Sequence, residues 1–158
     1  MIRIVTVTVS DTRTHATDES GRVLREELRA FHHVRHVIVK DDPGPIAALV
    51  SDIAHTREAD AVIMTGGTGI GPRDRTLDVV ERLFERRLDG FGEAFRRLSW
   101  DEIGPRAILS RAGAGVIGRC LVFALPGSSK AARLGAKQII APLLPHAVDI
   151  LAGKTAHS

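Results

Sequence analysis

Residues 2–10 set Ile2, Ile4, Val5, Val7 and Val9 among threonines, a β-branched run with the character of a buried strand. A polar stretch, residues 11–20, separates it from Val23, Leu24, Leu28 and Phe31, which mark a short amphipathic helix. Strand character returns over residues 33–40 through Val34, Val37, Ile38 and Val39. Asp41-Asp42-Pro43-Gly44-Pro45 reads as a turn, and Ile46, Leu49, Val50 and Ile53 follow at the i, i+3, i+4, i+7 spacing of a helix. Residues 61–65 predict a third strand that runs into a cluster of glycines. Leu77, Val80, Leu83 and Phe84 predict the next helix, and Phe91, Phe95 and Leu98 another. Val116-Ile117 and residues 121–125 flank Gly118-Arg119, the signature of a tight hairpin. Pro126-Gly127-Ser128-Ser129 breaks that strand. Helical spacing resumes at Ala132, Ala136, Ile139 and Ile140, and a last helix covers residues 143–151.

Strands alternating with helices predict an α/β fold, a three-layer α/β/α sandwich with a mostly parallel sheet and one antiparallel hairpin. Right-handed crossovers should join the parallel strands. There is no internal repeat, linker or low-complexity segment, so residues 1–152 read as a single domain and residues 153–158 as a frayed tail.

Composition narrows the picture without changing it. The chain has 158 residues, enough for one domain with a real core. Its one cysteine excludes an internal disulfide framework and suits a reducing compartment. No leader pattern precedes the first strand, and no apolar run approaches the ~20 residues of a membrane span. The expectation is a cytoplasmic protein with no membrane partner. A net charge of +3 and a pI near 9.6 favour anionic partners. Five Phe, one Trp and no Tyr leave little for base stacking, so nucleic acid is not expected.

Ligands of open α/β sheets bind beyond the carboxyl ends of the strands. Polar clusters fall there: Ser10-Asp11, Asp41-Asp42, and the run Thr65-Gly66-Gly67-Thr68-Gly69-Ile70-Gly71-Pro72-Arg73-Asp74. Without Cβ atoms, backbone N–H groups can approach phosphate oxygens closely, and a nearby helix N-terminus adds a favourable dipole. The run is not a P-loop, since no Lys-Ser or Lys-Thr follows it, nor does its spacing match the dinucleotide fingerprint. Leu125-Pro126-Gly127-Ser128-Ser129-Lys130 is a second anion-binding candidate, although Ser128 or Ser129 equally suits a helix cap. His32-His33-x-x-His36 invites a zinc reading, but strand alternation splits these side chains between faces. Cys120, in the hairpin, reads as packing.

Together these stretches resemble the MoaB/MogA family of molybdenum-cofactor biosynthesis proteins, on the MoaB side. The family's Thr-Gly-Gly-Thr-Gly-x-x-x-Arg-Asp-x-Thr pattern stands complete over residues 65–76. Gly90-Phe91-Gly92-Glu93, Leu109-Ser110-Arg111 and Leu125-Pro126-Gly127 follow in the family's order and spacing. The resemblance implies adenylylation of molybdopterin by ATP with Mg²⁺, releasing pyrophosphate, in a homotrimer or homohexamer. Oligomer contacts are expected over residues 77–98 and the hairpin 116–125. The nucleophile would be the pterin's own phosphate, so the task is positioning and charge stabilisation rather than nucleophile activation. By this resemblance Asp74 and Asp41 are the catalytic and Mg²⁺-binding candidates, with Asp42 beside them. Ser10, Asp11, Thr65, Gly66, Gly67, Thr68, Gly69, Ser110, Arg111, Pro126, Gly127 and Ser128 are the candidates for holding the pterin and nucleotide. Other readings stay open: Asp74 as a helix N-cap, Asp41 and Asp42 as turn residues, Arg73 and Arg111 as surface pairs. A pterin-binding carrier without transferase activity is the alternative function.

Overall fold

The computed structural model describes residues 1–154. Six strands form one sheet: β1 (Arg3–Val9), β2 (His32–Val39), β3 (Ala61–Thr65), β4 (Arg86–Arg87), β5 (Gly113–Ile117) and β6 (Cys120–Leu125). Across the sheet the order is β2-β1-β3-β6-β5-β4. Strands β2, β1, β3 and β6 are parallel, whereas β5 runs antiparallel to β6 and β4 antiparallel to β5. The helices are α1 (Glu19–Glu27), α2 (Pro43–His55), α3 (Thr76–Glu81), α4 (Asp89–Ile103), α5 (Ser129–Gly135) and α6 (Ala141–Leu151). A 3-10 turn, Gly104–Leu109, follows α4, and a π turn, Ala136–Ile140, joins α5 to α6.

Alternation along the strands sorts the apolar residues into two cores, one on each face of the sheet. Val5, Val62 and Val122 stand in register across β1, β3 and β6 and pack with Ile46, Val50 and Ile53 of α2 and Val80 of α3. Ile4, Ile63 and Phe123 face the other way, onto Leu24 of α1, Phe95 of α4, Ala132 of α5 and Leu144 of α6. This is the three-layer α/β/α sandwich expected from the sequence, with its single β5–β6 hairpin turning at Gly118-Arg119. Burial pushes the Cys120 thiol up to about 12, which leaves it a packed, unreactive side chain.

The structure departs from the pattern in four places, each for a local reason. β5 begins at Gly113, earlier than its first valine, because Gly115 leaves room for the Phe84 ring that packs directly over its Cα. Leu83 and Phe84 lie past the end of α3, where the chain turns into the two-residue β4. α4 runs on through Ser99 to Ile103, leaving Trp100 48% exposed. A register shift between Ile4 and Val5 inserts one extra residue in β2, so His33 pairs with Ile4 and His36 with Thr6, on one face rather than two. These histidines still serve separate acceptors: His33 Nε2 meets Leu28 O at 3.2 Å, and His36 meets Asp18.

Because four strands are parallel, the segments following β1, β2, β3 and β6 all emerge at one end of the sheet. That convergence builds the site.

Candidate functional site

Between these segments lies a cleft of about 510 Å³. Its floor is the glycine loop. Thr65 ends β3 and donates its hydroxyl to Pro126 O at 2.8 Å, while Gly66 N donates to Leu125 O at 2.9 Å, so the loop is tied to the end of β6. Gly66 and Gly67 have φ of +102° and +71°. A side chain on Gly66 would abut Val9 O, and one on Gly67 would meet Thr76 Oγ1 and Asp41 Oδ2. The chain turns here in a conformation that only glycine adopts without strain, and there is no room for a Cβ.

Beyond that turn, Gly67 O accepts from Thr76 N at 3.0 Å and Thr68 O accepts from Arg111 N at 2.8 Å. Arg111 is spent on the same loop. Its Nε donates to Gly69 O at 2.9 Å, its Nη2 to Asp74 O at 2.7 Å and its Nη1 to Asp78 Oδ1 at 2.8 Å. The loop carbonyls are therefore pinned from behind, and the N–H groups of Gly67, Thr68 and Gly69 donate to no protein acceptor among the described residues. Successive free N–H donors in a cleft suit an anion.

Carboxylates bound one side. Asp41 is 6% exposed, and burial pushes its carboxyl above the usual range, with the charges of Asp11 and Asp74 adding to the rise. Opposing that is Arg75 N–H, which donates to Asp41 Oδ1 over a long 3.4 Å. Asp11 is held below the usual carboxylate range by Arg73, whose Nη2 donates to its Oδ2 at 2.9 Å, and by Asp41 N–H at 3.2 Å. Arg73 also reaches Asp42 Oδ1 at 3.4 Å. Asp74 Oδ2 accepts from Gly71 N at 2.8 Å. Asp74 is not the N-cap of α3: the helix starts at Thr76 with Arg75 in the cap position and no side-chain cap bond.

Of the residues singled out in the sequence, Ser10, Asp11, Asp41, Asp74, Thr65, Gly66, Gly67, Thr68, Gly69, Ser110, Pro126 and Gly127 line this one cleft. Ser10 Oγ accepts from Thr12 N and Arg13 N and so builds the turn after β1. Two candidates stand apart. Ser128 caps α5, its hydroxyl accepting from Ala131 N at 3.1 Å, and Arg111 braces the loop instead of facing its concave side. Sequence reasoning missed Thr8, Val9, Arg13, Ser20, Arg106 and Leu109, which also line the cleft. Leu109 stands in the Leu109-Ser110-Arg111 phrase, and Ser20 lies two residues beyond the capping Asp18 at the start of a helix.

Among the described residues no group of three or more His, Cys, Asp or Glu side chains converges to hold a metal ion alone. Mg²⁺ does not require such a cage, since it keeps waters and takes one or two carboxylates together with substrate phosphates. Asp41 and Asp74 fit that role: they are hard oxygen donors in one cleft, and the charge of Asp74 adds to the cost of ionising Asp41.

A mainly parallel sheet with a backbone-lined loop and carboxylates beyond its strand ends is the arrangement of an anion-binding α/β domain. The family model described as "Probable molybdopterin binding domain" matches residues 5–146. Molybdenum cofactor biosynthesis protein B of Bacillus subtilis strain 168 is 45% identical over 151 residues, covering 94% of this chain and 89% of that protein. A crystal structure of a molybdenum cofactor biosynthesis protein B superposes with a TM-score of 0.92 at 44% identity, covering 96% of each chain. The tungsten cofactor synthesizing protein MoaB of Pyrococcus furiosus superposes with a TM-score of 0.83 at 37% identity, covering 95% of this chain and 96% of that one. The chain belongs to the MoaB/MogA family of molybdenum-cofactor biosynthesis proteins.

Proposed function

We propose that this protein binds molybdopterin and adenylylates its terminal phosphate, with ATP as the co-substrate and Mg²⁺ as the cofactor. One observation carries the reading: free backbone donors on residues 67–69 and the buried Asp41 share a single cleft. In the reaction, a phosphate oxygen of the pterin bonds to the α-phosphorus of ATP as the bond to the bridging oxygen breaks. The products are molybdopterin-AMP and pyrophosphate. No side chain needs to act as nucleophile. The glycine loop holds phosphate oxygens through its N–H groups, and Arg111 keeps it in shape from behind. Asp41 and Asp74 would hold Mg²⁺, which when bound offsets negative charge on the phosphates.

The test is incubation with molybdopterin and Mg-ATP, followed by mass detection of the adenylylated pterin and assay of pyrophosphate. A second reading, a pterin carrier without transfer, draws on Asp74 Oδ2 being engaged by Gly71 N. Pterin binding with no pyrophosphate release would select it. No helix among the described residues is long and apolar enough to cross a membrane, in keeping with a cytoplasmic setting for this reading. A homo-oligomer, trimer or hexamer, goes with it. An apolar groove between α4 and α6, floored by Val116, Leu121 and Phe123 of the hairpin, supports that expectation.

A further inference from the structure

The segments that line the cleft bring both signs of charge to it, and Asp11, on the segment leading into α1, is already paired with Arg73. Asp41 and Asp74 arrive on the segments that lead into α2 and α3. From the other layer come Arg13, on the segment leading into α1, and Arg106, on the 3-10 turn that follows α4. Of the other arginines near the loop, Arg75 donates to Pro72 O at 3.4 Å and two are paired with carboxylates. Arg73 is paired with Asp11 and Asp42, and Arg111 with Asp78. Arg13 donates to the backbone at Thr17 O, 2.9 Å away. Neither Arg13 nor Arg106 has a carboxylate partner among the described residues. Ser20, 1% exposed, lines the same cleft with a buried hydroxyl that has no hydrogen-bond partner, as do Thr68 and Ser110 on the loop side. A buried, unpaired hydroxyl is costly, and one that lines a cleft can bond an oxygen of what binds there.

We propose that Arg13, Arg106 and Ser20 form a second subsite, which takes a phosphate monoester free of metal, while phosphates on the glycine loop beside Asp41 and Asp74 need a cation to offset the carboxylates. A bare phosphate is repelled by Asp41 and Asp74 and drawn to guanidinium groups, whose charge-assisted bonds fit its oxygens. Separate places for two anions allow two phosphates to sit in one cleft before they react. Resting on the adenylyl-transfer reading, the arginine side holds the pterin's terminal phosphate, and the carboxylate side the nucleotide.

The probe is inorganic phosphate, titrated calorimetrically into the full chain in chelator-containing buffer, beside a titration with Mg-ATP. Both arginines are exposed, so Arg13→Gln and Arg106→Gln leave the fold intact. Each should weaken phosphate binding about tenfold and the pair about a hundredfold, with Mg-ATP affinity held within about twofold. Asp41→Asn should give the reverse pattern. No detectable phosphate binding by the parent, or parental phosphate binding by the double variant, overturns the subsite. Equal loss of phosphate and Mg-ATP overturns it as well. The two proposals fail separately. A parent that forms no adenylylated pterin, yet loses phosphate on double substitution, sinks the transfer reading and supports the subsite. A parent that turns over, with a double variant of unchanged KM for molybdopterin, does the opposite.

Discussion

Asp18 and Asp41 are the two aspartates buried at this end of the sheet, 4% and 6% exposed, and their surroundings treat the charge in opposite ways. Burial raises the pKa of both. At Asp18 that effect is outweighed. Thr8 Oγ1 donates to Oδ2 at 2.7 Å, His36 Nε2 lies 2.6 Å from the same oxygen and Gly21 N donates to Oδ1 at 2.9 Å, leaving the carboxyl below its usual range. His36 is itself held below its usual range by burial, and its Nδ1 lies 2.7 Å from Thr6 Oγ1. A neutral ring with Nε2–H donating to Asp18 and Nδ1 accepting from Thr6 satisfies every group. Asp41 has one long N–H bond and two neighbouring negative charges, so its pKa rises. Burial alone does not make a site. A buried carboxylate with all its donors holds the fold, whereas one short of donors is left for a cation or ligand to complete.

The comparison can be broken from either side. Asp18→Ala should cost about 3–5 kcal/mol in urea unfolding, because it strands His36, Thr8 and the first turn of α1. A loss under about 1 kcal/mol would show that the network contributes little beyond packing. Asp41→Asn should leave the fold intact and cut adenylyl transfer about 10²–10³-fold at any Mg²⁺ concentration. Asp74→Asn should do the same without touching α3, whose N-terminus it does not cap. Parental turnover in both variants would move the cation elsewhere.

Gly67→Ala sits between the two effects. Its positive φ and its contacts with Thr76 and Asp41 predict a stability loss of about 1–3 kcal/mol together with weaker nucleotide binding. Intact binding in a calorimetric titration would remove the loop from the site. The smallest effect is the pH dependence, where the two aspartates should carry opposite signs. Asp18, with its lowered pKa, contributes stability that is present above its unfolded value of 3.8 and lost as pH falls through its folded value. Asp41, with its raised pKa, costs stability that builds as pH climbs from 3.8 to its folded value, is complete above it, and is absent below 3.8. His36, lowered from 6.5, adds a loss of stability as pH falls below 6.5, at most about 1.4 kcal/mol per pH unit for one proton. Asp41→Asn should therefore raise Tm at neutral pH, on the order of 2–4 °C, and have no such effect near pH 4. An unchanged Tm at pH 7 would mean that Asp41 carries no uncompensated charge.

Much of this was legible in the chain. Alternating and helical apolar spacing located each major strand and helix, because those periods report directly which side of an element meets a core. The run 65–76 read as a candidate anion loop, because glycine and strand-end position have a local physical meaning that needs no partner. Local pattern does not encode what the elements pack against. The hairpin pattern showed β5 only from Val116, and its start at Gly113 depends on Phe84, which occupies the space a side chain on Gly115 would take. Arg111 read as a ligand contact or a surface pair, and only the folded chain brings residues 69, 74 and 78 within its reach, so that it braces the loop. His36 and Asp18 meet across 18 residues of sequence, and the one-residue bulge that aligns them has no signature in the sequence. Arg13 and Arg106 are unremarkable in the chain. The sandwich alone decides that both line one cleft, because parallel strands deliver distant loops to a single end. Periodicity along the chain is enough to set the elements, the two cores and the glycine loop, whereas packing sets which charges are paired, which are stranded, and so where the chemistry can occur.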